Sequence, residues 1–262
     1  MSLLRSELRI RSRSTWGWLA GIVLLVAMIA GFYPAVRNLA SLDSIYADLP
    51  AVLQSLLGGS DLVSPSGYLR TQLLAFFLPI VLLILGMGRG AAALAGEEED
   101  RTLDLLLAQP ISRSRLYLVK SAAVVCWLAV MALATFATLA ALDSITGLRL
   151  PWTDLAAVCL QMGLMCVAAS LLTMAVASAA GRRIIGVAVV GYYLILAYLA
   201  EGLAEVVSWL RPVRPLSLWH WYLGNDPLAQ GLDPASVLVL VGVSAVAIGI
   251  GAWVFTGRDL HA

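Results

Sequence analysis

The sequence predicts an all-α integral membrane protein with six transmembrane helices. Of its 262 residues, 61% are hydrophobic and only 13% are charged, whereas about 25% of the residues in a soluble domain are charged. Long charge-free stretches recur along the chain, and each approaches or exceeds the ~20 apolar residues that a helix needs to cross a bilayer. The short alternating segments typical of membrane β-strands do not occur. The predicted spans, which make residues 1–262 a single transmembrane domain, are 15–35, 71–95, 118–142, 155–180, 184–207 and 235–256.

The first apolar stretch is predicted to be a retained span. It is too long for the apolar core of a signal peptide, and no small-residue cleavage site follows it. The distribution of Lys and Arg sets the orientation, because cytoplasmic loops are enriched in both. With both termini in the cytoplasm, twelve basic residues lie inside and five outside. The inside set is Arg5, Arg9, Arg11, Arg13, Arg89, Arg101, Arg113, Arg115, Lys120, Arg182, Arg183 and Arg258, and the outside set is Arg37, Arg70, Arg149, Arg211 and Arg214.

Three extracytoplasmic connections follow from this topology. Residues 36–70 form a long loop with an amphipathic run at 45–59, which suits a helix lying on the membrane surface. Residues 142–154 form a short connector. Residues 209–234 are rich in Trp, Tyr and Pro, and aromatic residues of this kind favour the membrane interface.

No pattern in the chain predicts catalysis or metal binding. The phosphate loop GxxxxGK[ST], the zinc motif HExxH and the nucleophile elbow GxSxG are all missing. The three cysteines fall inside predicted spans without a CxxC pair, so we expect no disulfide and no metal site. The net charge of +1 gives no basis for nucleic-acid binding. We therefore expect a non-enzymatic chain.

The stretch "GEEEDRTLDLLLAQPISR", residues 96–113, interrupts the apolar pattern. As a helix from 97 to 109 it would be amphipathic, with an acidic face and a face of Leu103, Leu106 and Leu107. Pro110 would end it, because proline lacks an N–H and restricts the residue before it. The acidic side chains cannot lie in the lipid core, because the free energy of burying their charge there is too unfavourable. Residues 96–116 are thus either a solvated surface loop or a docking element for a cytoplasmic partner.

This stretch resembles the cytoplasmic loop of ABC-2 type permeases, the membrane subunits of ABC exporters. There, acids precede a Thr-Leu-(Glu/Asp)-x-Leu-Leu run, a Pro-(Ile/Val)-Ser-Arg turn and a Lys at the next helix. Arg101 stands where many members carry Gly before the Thr. The C-terminal "FTGRDL", residues 255–260, is similar to the family's Phe-x-x-Arg-Asp-Leu ending. The matching loop residues are Glu97, Glu98, Thr102, Leu103, Asp104, Leu106, Leu107, Pro110, Ser112, Arg113 and Lys120.

The resemblance implies a mechanism and a set of partners. Two permease chains, identical or related, would pair in the cell membrane and bind two copies of a separately encoded ABC ATPase. A coupling helix in 96–116 would rest in a groove of the ATPase, with Glu97, Glu98, Thr102 and Arg113 among its coupling residues together with Leu103, Asp104, Leu106, Leu107 and Pro110. This chain would bind no cofactor itself, since ATP and Mg²⁺ would belong to the ATPase.

The alternative is a six-span protein that works without ATP, either a secondary transporter or a membrane scaffold. An ion-coupled carrier would be expected to place ionisable groups at mid-membrane. Only Glu201 and Glu205 lie inside an apolar helix, four residues apart. They are either water-exposed at its outer end or part of a vestibule that attracts cations. Spans with so few charges suit an amphiphilic, lipid or drug-like cargo.

Overall fold

A computed structural model describes residues 12–37, 50, 53, 64–102, 112–204 and 207–258. It confirms the predicted fold class: the described residues are predominantly helical, contain no β-strand and include six helices long and apolar enough to cross a membrane. We number these helices as spans 1 to 6. They are Thr15–Val36, Pro65–Ala93, Arg113–Thr146, Trp152–Ala180, Arg183–Leu203 and Pro234–Gly257.

Successive spans run in opposite directions, so each end of the bundle collects alternate helix termini. One end carries the short helix Ala95–Glu99, the start of span 3 and the end of span 6. We call it the acidic end, after Glu97, Glu98, Glu99 and Asp100. The opposite end carries the start of span 2 and a group of short helices between spans 5 and 6. Those short helices are Ser208–Leu216, a 3₁₀-helix, and the α-helices Leu218–Leu223 and Pro227–Gln230.

Span 4 is the centre of the bundle. It is buried over most of its length and packs against spans 2, 3, 5 and 6, whereas spans 1, 5 and 6 leave most of their surface uncovered. Large apolar side chains cover these outer surfaces, among them Leu24, Phe32, Ile195 and Trp253. Apolar side chains are stable against lipid, so this arrangement suits a bilayer.

Glycine permits the closest contact in this core. Gly90 of span 2 lies against the backbone of Ser170 in span 4, and a Cβ at position 90 would come within 2.3 Å of the Ser170 carbonyl oxygen. Small residues of this kind let membrane helices approach closely, where packing replaces the hydrophobic drive between helices.

Span 2 starts earlier than the sequence predicted. It begins at Pro65 rather than 71, because the Ser64 side chain accepts a hydrogen bond from the Gly67 N–H (3.1 Å) and proline suits the first helical position. A π-helical turn, Arg70–Leu74, follows, and the backbone breaks at Phe76 before the helix resumes at Phe77. The predicted loop 36–70 therefore includes the first turn of this span.

Span 3 is also longer than predicted, at 34 residues against the expected 118–142. Ser112 caps its first turn by accepting from the Arg115 N–H (3.3 Å), and Gly147, with φ of 72°, ends it. A helix of this length extends about 50 Å, which exceeds the hydrocarbon core of ~30 Å and reaches through both headgroup layers. Its charged first turns therefore need not lie in lipid.

The segment between spans 5 and 6 packs against the bundle through the short helix Leu218–Leu223, whereas the 3₁₀-helix Ser208–Leu216 before it buries no residue. We call Ser208–Gln230 the re-entrant segment. Its Trp219 indole donates to the Leu194 carbonyl (3.2 Å), and its Tyr222 hydroxyl donates to the Leu74 carbonyl (2.9 Å). Leu194 lies nine residues, or about 14 Å, inside the end of span 5 at Leu203. The aromatic residues thus act as buried hydrogen-bond donors as well as interface residues.

Candidate functional site

The acidic stretch does not begin as the single continuous helix that its pattern predicts. The helix that starts at Ala95 ends at Glu99, and Arg101 has φ of 55°. A residue in this left-handed conformation cannot continue a right-handed helix. The Thr102 N–H then folds back to the Glu97 carbonyl (2.8 Å). The predicted helix over 97–109 is therefore wrong at its start, and Glu97 and Arg101 do not share a helical face.

The left-handed conformation of Arg101 gives a physical reason for the glycine that is common at this position of the motif. The left-handed region favours glycine, which has no Cβ to collide with the backbone. Many members of the family that the loop resembles carry Gly here, whereas this chain has an arginine in the left-handed conformation. The predicted coupling residues Leu103, Asp104, Leu106, Leu107 and Pro110 lie outside the described residues.

Glu97 forms a buried ion pair with Lys120 of span 3. The Lys120 ammonium donates to the Glu97 carboxylate, and the Lys120 side chain is only 3% exposed. Two charges removed from water in this way interact strongly, and removing one of them leaves the other without compensation. This pair ties the start of the acidic stretch to the second turn of span 3.

Glu98 forms a two-pronged ion pair with Arg258, which directly follows span 6. The Arg258 guanidinium donates to both Glu98 carboxylate oxygens, at 2.8 and 3.1 Å, and also to the Ser178 carbonyl at 2.7 Å. Two parallel hydrogen bonds fix the orientation of the partners as well as their distance. The Arg113 side chain donates to the Arg258 carbonyl (2.9 Å). Arg258 therefore contacts both flanks of the segment 99–112.

Glu99 and Asp100 contact Arg183 at the start of span 5. The Arg183 N–H donates to Glu99 at 2.8 Å, and its guanidinium donates to Glu99 and to Asp100. The hydrogen bonds from Arg183 hold the pKa of Glu99 below its usual value. The stabilisation is therefore present above the pKa of Glu99 in the unfolded chain and is lost as pH falls through the lower folded pKa. At neutral pH the pair is intact, although its exposure to water weakens it.

The four acids thus hold three different spans together at one end of the bundle. Of the predicted coupling residues, the structure brings Glu97, Glu98 and Arg113 into this cluster, and it leaves Thr102 exposed beside them. Sequence reasoning missed Arg183 as an ion-pair partner, and it noted Arg258 only as part of the C-terminal motif. A signal was present, because the predicted topology already placed Arg183 and Arg258 on the same side of the membrane as the four acids.

Glu201, one of the two predicted vestibule residues, belongs to an ion pair at the opposite end. Its carboxylate accepts from Arg214 of the re-entrant segment (Nε at 3.1 Å) and lies 3.3 Å from His220 Nδ1. The Glu201 side chain is 14% exposed. Glu205 lies outside the described residues. The vestibule remains a prediction, but the charge of Glu201 is compensated within the chain.

The described part of the chain holds no group of three or more His, Cys, Asp and Glu side chains that could bind a metal ion. The three cysteines are free thiols, and Cys159 and Cys166 are buried in span 4. An apolar groove of about 480 Å³ lies between spans 3 and 4, lined by residues such as Ala132, Phe136 and Gly163.

Six apolar spans, of which span 4 is the buried centre, define a multi-pass membrane protein with a charged cluster at one end. The chain matches the model of the family described as ABC-2 family transporter protein over residues 1–260. The chain therefore belongs to the ABC-2 transporter family, as its motifs predict, and it is a protein of the cell membrane. A search of curated proteins finds no match to it.

Proposed function

We propose that this chain is the transmembrane subunit of an ATP-driven exporter, and that residues 96–116 are its contact with a separate ABC ATPase. Two permease chains and two ATPase subunits form the working complex. The observation that best supports this role is the bonding of the acidic stretch to spans 3, 5 and 6 at a single end. A force applied to that stretch acts on three spans at once, in addition to span 2, from which it continues.

The acidic end faces the cytoplasm in this proposal. It carries most of the described basic residues, including Arg113, Lys120, Arg183 and Arg258. The opposite end carries fewer, among them Arg70 and Arg214. This asymmetry has the sign of the positive-inside rule and supports cytoplasmic termini.

ATP and Mg²⁺ bind to the partner ATPase, because this sequence contains no phosphate loop. Leu103, Leu106 and Leu107 supply the apolar contact in the ATPase groove. ATP-driven closure of the ATPase pair changes the shape of that groove. Transport energy enters as a difference in contact free energy between the open and closed states.

The cargo in this proposal is amphiphilic, lipid or drug-like, and it moves outward. The ion pairs described above lie at the two ends of the bundle, and the groove between spans 3 and 4 is apolar. A highly charged cargo would require compensating charges along its path.

Leu106→Asp tests the central claim. The aspartate would lie in a desolvated contact and would cost several kcal/mol if it stayed unpaired. The variant should insert normally but fail to co-purify with its ATPase. Leu57→Asp, in the predicted outside loop, is the control and should retain the ATPase. Full retention of the ATPase and normal transport by Leu106→Asp would contradict the proposal and favour a protein that works without ATP.

A further inference from the structure

Arg258 is bonded to both flanks of residues 99–112, which we call the coupling segment. Its guanidinium holds Glu98, which precedes residues 99–112, and its carbonyl accepts from Arg113, which follows them. Span 6 ends at Gly257, so Arg258 continues directly from that helix. A movement of either flank therefore pulls on the end of span 6.

The surroundings of Arg258 suit an arginine and no other cation. Its guanidinium lies against Gly181, where a Cβ would come within 2.3 Å of Nη2. This close approach lets the side chain reach the Ser178 carbonyl and Glu98 at the same time. A lysine has a single point charge and cannot form the two parallel bonds to a carboxylate. The site thus fixes both the direction and the distance of Glu98.

The three ion pairs at the acidic end differ in their exposure to water. The Arg183 side chain is 40% exposed and its partner Glu99 33% exposed, whereas Arg258 and Glu98 are 25% and 22% exposed. Exposed pairs are screened and contribute little. The link to span 6 is therefore less screened by water than the link to span 5.

We propose that Arg258 is a positioning residue that transmits movement of the coupling segment to span 6. Span 6 then moves together with span 3 when the ATPase closes, although the segment joins only spans 2 and 3 along the chain. Packing of Tyr117 on Phe255, with ring centroids 6.1 Å apart, keeps the two spans in contact but fixes no direction of pull. The inference rests on the proposed ATPase partnership.

The experiment measures how accessible spans 3 and 6 are to a labelling reagent at the end of the bundle away from the acidic end. It uses the complex of permease and ATPase, reconstituted in lipid nanodiscs. Single cysteines replace Ile145 and Leu238, which are 77% and 72% exposed, in a background without native cysteines. A water-soluble maleimide measures labelling rates with and without ATP and orthovanadate. The variants are Glu98→Gln, Arg258→Gln and Arg258→Lys, which keeps the positive charge but loses the two parallel bonds. Arg211→Gln, exposed at the opposite end, is the matched control.

The labelling changes at positions 145 and 238 distinguish the transmission of movement to span 6 from a simple loss of stability. Arg258→Gln and Glu98→Gln should each reduce the nucleotide-dependent change in labelling at position 238 by a factor of about 2 to 30, the range for residues that carry coupling. The change at position 145 should remain, Arg258→Lys should restore only part of the change at 238, and Arg211→Gln should alter neither. A merely structural role would instead lower both changes together with the melting temperature.

Two failures are distinguishable. If the wild-type permease does not retain the ATPase, the proposed function fails. If the ATPase is retained and the change at position 238 is absent in the wild type, or persists in Arg258→Gln, span 6 is not driven through Arg258 and this inference is wrong.

Discussion

The Lys120 ammonium and the Glu97 carboxylate form an ion pair in which the lysine side chain is only 3% exposed. Glu97 lies in the short helix after span 2, and Lys120 lies in the second turn of span 3. The pair brings the two ends of the coupling segment together, because Glu97 precedes the segment and Lys120 follows it. A buried pair of this kind is costly to break from one side.

Glu97→Gln should destabilise the permease by about 3–5 kcal/mol, the range for removing one partner of a buried pair, because it leaves the charge of Lys120, which is only 3% exposed, without compensation. Lys120→Met should have a smaller effect, since the remaining Glu97 is 19% exposed and can recruit water. The double variant should be less destabilised than the sum of the two single variants. Unfolding in detergent, followed by circular dichroism, gives all three values. Additive effects would show that the two side chains do not interact.

Gly90→Ala should destabilise the bundle, because its Cβ would lie 2.3 Å from the Ser170 carbonyl oxygen. Overpacking of a core typically costs about 1–3 kcal/mol. Gly88 lies two residues earlier in the same helix, and a Cβ there meets nothing within 4 Å. Gly88→Ala should therefore leave the melting temperature unchanged or raise it slightly. Equal melting temperatures for the two variants would contradict the close approach of spans 2 and 4.

Cysteine labelling in intact cells tests the orientation. Ser112 and Ser144 are exposed near opposite ends of span 3, and Ser→Cys preserves their size. An impermeant maleimide should label Ser144→Cys and miss Ser112→Cys, which should react only after the membrane is opened. Labelling of Ser112→Cys from outside would reverse the proposed topology and remove the coupling segment from the cytoplasm.

The spans could be predicted because lipid demands about 20 apolar residues in a helix, and the sequence shows six such stretches. Their ends were harder to predict. Span 3 takes in Arg113, Arg115 and Lys120, because a serine cap starts the helix and Glu97 compensates the lysine. The predicted span 118–142 already contained Lys120 but began after Arg113 and Arg115.

The candidate site was predictable in its location and not in its contacts. The acidic stretch and the C-terminal motif both stood out, but Glu98 and Arg258 are 160 positions apart, and only the packing of the spans brings them together. The fold-back of the re-entrant segment was missed for a similar reason. Its Trp and Tyr residues fit an interface equally well, and their hydrogen bonds to carbonyls of other helices depend on tertiary contacts.

Substitutions at Glu201 and Arg214 distinguish a structural role of Glu201 from a role in cargo binding. It bonds Arg214 of the re-entrant segment, and both side chains are largely withdrawn from water. Glu201→Gln leaves the arginine without its counter-charge and should destabilise the permease by about 1–3 kcal/mol. Arg214→Gln should have a similar effect, and the double variant should show a coupling of about 0.5–3 kcal/mol.

If Glu201 instead lines a vestibule that attracts cations, Arg214→Gln should change transport and leave stability unaffected. There Arg214→Gln would expose the Glu201 carboxylate, increase uptake of cationic cargo into the transport path and leave the melting temperature unchanged. Replacement of Glu201 and Glu205 together by Gln would then lower transport of cationic cargo alone. Melting temperatures and transport of paired cationic and neutral dyes decide between the two roles. Because Glu201 already has a cation beside it, we expect the effect of Glu201→Gln to fall on stability.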